Sequence, residues 1–96
     1  VRFTREAARD LDEAFSFYEQ RRPGLGREFL FQVAASIELA KEMPHAWPLV
    51  SGEDRACRVQ RFPYRLVYFV KSDGMVVLAV AHYKRRLNYW VKRSRS

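Results

Sequence analysis

Five side chains stand out as candidates to hold a charged partner or move a proton: Arg58, Arg65, His82, Arg85 and Tyr89. Guanidinium forks bind phosphate and carboxylate through paired hydrogen bonds. They keep their own proton at any ordinary pH, so they stabilise charge but serve poorly as bases. Any acid–base work would therefore fall to His82 or Tyr89. Arg65 is the most pointed case, because it opens the apolar run in "RFPYRLVYFV". Either it ends a sheet, or it points into a groove that handles an anion. With Arg58, Arg85 and Arg86 it would ring a concave basic patch. The plainer alternative is a solvated sheet face whose arginines pair with carboxylates such as Asp73 or Glu53.

Other residues point away from chemistry. One cysteine and two distant histidines offer no metal-ligand spacing. No glycine-rich phosphate loop is present, so no cofactor is expected. Cys57 lies among strand residues and reads as a small buried hydrophobe. Ser36 lies mid-helix, and His45 sits beside Pro44 without a partner in view. The stretch "HYKRRLNYW" interleaves bases and aromatics. It suits either stacking on nucleobases or a short amphipathic helix whose Leu87, Tyr89 and Trp90 cover the sheet, and the covering role is preferred.

What must position these residues is modest in size. The 96 residues are enough for a single core, expected over residues 1–92, with residues 93–96 as an unstructured tail. A hydrophobic share of 48% belongs to a folding sequence. Lys and Arg outnumber Asp and Glu by 18 to 11, a formal net charge of +7 that suits a polyanionic partner, nucleic acid or acidic protein alike. With a lone cysteine and no apolar run of about 20 residues, a reducing, cytoplasmic setting away from membranes is expected. The chain opens on valine, so a few residues are expected to precede it.

The hydrophobic period gives the elements. "VRFT" has the alternation of a short strand, and Thr4 is a good helix N-cap. Ala7, Ala8, Leu11, Ala14, Phe15 and Tyr18 then fall at helical spacing to about Gln20. After "RRPGLG", a second helix shows Phe29, Leu30, Val33, Ile37 and Ala40 on one stripe and should stop before Pro44. "PHAWPLVSGED" reads as a loop with Trp47 pinned on the core. Beyond it the period changes to two, and strands are expected at about 56–62, 65–71 and 75–83, with "KSDG" as a hairpin turn. The fold class is α+β: a short N-terminal strand and a two-helix hairpin packed on one face of a three- to four-stranded antiparallel sheet. The third strand is apolar on both sides, so its far side must be covered too.

That order of elements, with "ARDLDEAFSFYEQRRPGLGREFL", "RFPYRLVYFV" and "VVLAVAHYKRRLNYW", resembles the RelE/ParE toxin superfamily of bacterial toxin–antitoxin modules. The likeness is greater to its ParE-like, plasmid stabilization branch. The resemblance implies a small cytoplasmic toxin neutralised by an acidic cognate antitoxin. ParE-type members bind and poison DNA gyrase and are not enzymes. RelE-type members are ribosome-dependent mRNA endoribonucleases, and three of their basic positions carry over to Arg58, Arg65 and Arg85. Two positions do not: a lysine expected on the second strand, the first of the meander, is Ala56, and the tyrosine falls near Val91, with Tyr89 as a stand-in. The resemblance thus implies a gyrase-type inhibitor first, and a ribonuclease using Arg58, Arg65, His82, Arg85 and Tyr89 second.

Overall fold

Thr4 starts the helical layer, as its residue type demands. In the computed structural model, which describes residues 1–86 and 88–95, its hydroxyl accepts from the Ala7 N–H at 3.2 Å and opens α1, Arg5–Arg21. Ala7 and Ala14 are buried, while Ala8, expected on the same stripe, faces outward. α2, Leu25–Glu42, ends before Pro44 as the sequence requires. The link between the helices depends on two residues. Gly24 takes φ +92° as the N-cap of α2, a conformation that favours glycine. Glu19 of α1 then does the capping: its carboxylate accepts from Gly24 N–H at 2.9 Å and from Gly26 N–H at 3.0 Å. These bonds, first the one from Gly24, hold its pKa below the usual carboxylate range.

Five strands form one sheet in the order β1-β5-β4-β3-β2. β1 (Arg2–Phe3) runs parallel to β5 (Gly74–His82), and the remaining pairs are antiparallel. The central pair is β4 (Tyr64–Lys71) with β5. β3 (Asp54–Val59) starts and stops earlier than the period suggested, because residues 60–63 are given over to the turn. Arg61 there has φ +70°, and Phe62 swings back to meet Tyr18 and Phe29 edge-on at 4.9 and 5.1 Å. β2 (Leu49–Ser51) lies in the segment expected to be loop and becomes the outer strand beside β3, so the sheet has one strand more than the upper expectation.

Both helices lie on one face. Leu66, Tyr68, Cys57, Val59, Met75, Val77 and Val80 face Phe29, Val33 and the alanines of the hairpin. The far face holds a second cluster of Val67, Leu78, Ala79, Ala81 and Trp90. Side-chain alternation along β5 breaks between Val77 and Ala79, whose β4 partners are the adjacent residues Tyr68 and Val67. This one-residue bulge sends both Leu78 and Ala79 to the far face.

Trp90 is fully buried and provides the cover that the doubly apolar β4 requires. Its segment is a succession of tight turns rather than the expected short helix, with Tyr89, Val91 and Arg93 N–H groups each bonding the carbonyl three residues back. Leu87, assigned to the same cover, lies outside the described residues. Two arginines placed by expectation in the tail make definite contacts. Arg93 pairs with Asp10 at 2.7 Å, and Arg95 pairs with the buried Asp54 at 2.7 Å.

Candidate functional site: two clefts divided by Tyr89 and Trp90

Arg58 and Arg65 are register partners on β3 and β4. Both rise from the far face, since their neighbours Cys57, Val59 and Leu66 belong to the helix side. They line a cleft of about 250 Å³ with Trp47, Pro48, Val50, Ala56 and Tyr83. The Arg65 guanidinium lies over two rings, 5.5 Å from the centroid of Tyr83 and 5.4 Å from that of Trp90. Among the described residues neither arginine has a carboxylate partner, and Asp73 and Glu53 do not serve as one. Two buried donors of this cleft, Arg65 Nε and Trp47 Nε1, have no acceptor. Trp47 is held there because Arg55 donates to its carbonyl at 2.7 Å.

Arg85 goes elsewhere. It lines a second cleft of about 300 Å³ with His82, Tyr64, Tyr89 and Val80, closed on the other side by Asp10, Glu13, Ala14 and Phe17 of α1. Its guanidinium sits 4.0 Å above the Tyr89 ring. The single basic ring expected from sequence is therefore two sites. Tyr89 engages Arg85, while its neighbour Trp90 engages Arg65. Arg86 is exposed and lines neither cleft.

The second cleft holds His82 and the phenols of Tyr64 and Tyr89, while the arginine cleft has the phenol of Tyr83. His82 Nδ1 accepts from the Lys84 N–H at 3.0 Å, which leaves Nε2 to carry the proton on a neutral ring, and the ring meets Tyr64 edge-on at 5.0 Å. Burial pushes the Tyr64 phenol up to about 12, with Tyr18 adding to the rise. Burial also raises Tyr89, against the opposing pull of Arg93, Arg85 and Arg65. Such phenols hold their protons firmly. The arginine cleft contains no imidazole, carboxylate or lysine among its described residues, since Ala56 occupies the wall where a lysine would stand in the ribonuclease pattern.

The remaining candidates are structural. Ser36 donates to the Arg58 carbonyl at 2.8 Å and so fastens α2 to β3. Cys57 is buried, its thiol raised above the usual range by desolvation. His45 is exposed in the loop after α2. No group of His, Cys, Asp and Glu side chains suited to a metal ion occurs among the described residues. Among the described residues no helix is long and apolar enough to cross a membrane. Sequence reasoning missed Trp47 and Tyr83 as cleft walls; the available signal was an aromatic between two prolines, which usually marks a loop folded onto the body.

The chain is thus a small α+β protein with a two-helix hairpin on one sheet face and an arginine-lined cleft on the other. The family description "ParE toxin of type II toxin-antitoxin system, parDE" matches residues 1–87, and the chain belongs to that family. A solved structure titled "Chromosomal ParDE TA system from P. aeruginosa" shares the fold, with a TM-score of 0.74 at 19% identity, covering 84% of this chain and 91% of that one. No curated protein sequence matches the chain.

Proposed function

We propose that this ParE-type toxin acts by binding and inhibiting a protein target, DNA gyrase, in the cytoplasm, and that an acidic cognate antitoxin silences it. The observation that carries the reading is the division of the two clefts. Charge-stabilising Arg58 and Arg65 share no cleft with His82 or Tyr89, and Ala56 removes the lysine beside them. Cleavage of a phosphodiester through its 2′-hydroxyl needs a proton acceptor and a proton donor at the same site as the charge. A binding protein needs neither.

The test uses purified chain in a gyrase supercoiling assay. Supercoiling falls with toxin concentration and returns when the protein encoded beside it is added. Unaffected supercoiling at large molar excess would refute the target.

A second reading, a RelE-like mRNA endoribonuclease, draws on the Arg58–Arg65 register pair, which has no ion-pair partner among the described residues and could brace a phosphate. It requires that Arg65→Ala with Arg85→Ala abolish RNA cleavage while the chain stays folded.

A further inference from the structure

We infer that the Arg58–Arg65 cleft is an oxyanion site built for a carboxylate side chain on an extended, acidic and partly apolar segment of the partner protein. The inference rests on the reading of this chain as a partner-neutralised toxin, and it assigns that partner a contact point.

The first ground is the unmet hydrogen bonding. Four buried side-chain polar atoms lack partners among the described residues, and two of them, Arg65 Nε and Trp47 Nε1, belong to this one cleft. A buried donor without an acceptor is costly, and more so when charged. Folding alone gives no reason to gather two of them. Arg58, exposed, stands opposite Arg65 in the register and lines the same cleft, so an oxyanion entering it meets two guanidinium groups. Among the described residues no carboxylate lines the cleft, and an acceptor from a partner would fill that role.

Single-point rather than polymeric charge is the second ground. A nucleic-acid strand is tracked by a run of cations along its phosphates. Here Arg93 is engaged by Asp10, Arg95 by Asp54, and Arg85 stands over Tyr89 in the other cleft, while Lys84 and Arg86 are exposed and line neither cleft. The rest of the lining is Trp47, Pro48, Val50, Ala56 and Tyr83, which suits apolar side chains flanking one acid.

The third ground is access. Pro48 and Val50 of the wall sit at and next to β2, the outermost strand of the sheet, where Leu49 is exposed. A strand laid along that margin carries alternate side chains over the far face, and one of them would reach the arginines.

The test is an NMR titration of ¹⁵N-labelled chain, following the Arg65 Nε–H and the indole N–H of Trp47. Probes are N-acetylglutamyl-phenylalanine amide, its glutaminyl counterpart, and the dinucleotide uridylyl-adenosine. Saturable shifts of both resonances with the acid, none with the amide, are expected. Affinity should fall about tenfold or more in Arg65→Gln. Arg58→Gln, at an exposed position that leaves the core untouched, should weaken it as well. Tighter binding of the dinucleotide, equal response to acid and amide, or no saturable shift would each overturn the inference. The probe binds the chain alone, so its failure leaves antitoxin complex formation standing as a separate result.

Discussion

Arg93 grips Asp10 through two hydrogen bonds, Nη1 to Oδ2 at 2.7 Å and Nη2 to Oδ1 at 3.0 Å, across 83 residues of sequence. The pair does more than join the C-terminal segment to α1. β1 pairs with β5 only at Val76 and Val77. Immediately beyond, Arg93 Nη1 also donates to the Leu78 carbonyl at 3.2 Å, and Asp10 Oδ2 accepts from Val80 N–H at 3.0 Å. One ion pair thus supplies the donor and the acceptor that a neighbouring strand would otherwise provide.

Removing half of that pair should be costly. The two side chains are only 12% and 11% exposed, so Arg93→Ala strands a carboxylate in a largely dry site. A loss of about 3 kcal/mol in urea unfolding is expected. Arg93→Lys should recover only a fraction, because an ammonium cannot hold both carboxylate oxygens and the carbonyl in the same fork. Equal stability of the lysine variant and the parent would contradict this account of the edge.

At Gly26 the two helices pack closely. A methyl group there would stand 2.8 Å from the Phe15 ring, 2.8 Å from the Phe15 carbonyl oxygen and 2.9 Å from Glu19 Oε1. The ring can turn aside, but the carbonyl belongs to α1 and cannot. Gly26→Ala should therefore destabilise by about 1–3 kcal/mol, despite alanine's better helix propensity. A neutral or stabilised variant in thermal unfolding would show that the hairpin packs more loosely than described.

Stability should also decline on the alkaline side. Tyr64 is raised to about 12, first by burial, and Tyr18, Tyr68 and Tyr89 are raised by burial as well. Unfolded phenols titrate near about 10. The folded state therefore binds protons that the unfolded chain has lost, so stability is intact below about pH 10 and falls as pH rises toward about 12. Melting temperature measured against pH, with tyrosinate absorbance recorded in parallel, checks this. Tyr64→Phe should flatten the decline, and an unchanged slope would count against the assignment.

Much of this architecture could be read from the residues. Thr4, Pro44 and the apolar stripes set both helices to within a residue or two, and period-two runs gave β4 and β5. The likeness to ParE-type toxins was carried by the same stretches that build the hairpin and meander. What escaped is what depends on partners rather than on local pattern. β2 is three residues between prolines and glycine, too short to signal a strand, and exists because β3 lies beside it. The bulge that sends Leu78 and Ala79 to one face leaves no mark in a uniformly apolar run.

The candidate site was legible by residue type but not by grouping. Of the expected ring, Arg58 and Arg65 are brought together as register partners of β3 and β4. Arg85 lies past the end of β5, where alternation no longer dictates direction, and it turned to Tyr89 and α1. Arg93 and Arg95 looked like a solvated basic tail because their carboxylates, Asp10 and Asp54, are remote in sequence.

The central claim is that this toxin works by occupying a protein and not by cutting RNA. Inducing the chain in bacteria, then mapping messenger RNA ends and plasmid superhelicity in the same cells, tests it most directly. The account predicts altered superhelicity with RNA ends unchanged from uninduced cells. New RNA ends appearing within the reading frames of translated messages, with superhelicity intact, would contradict it.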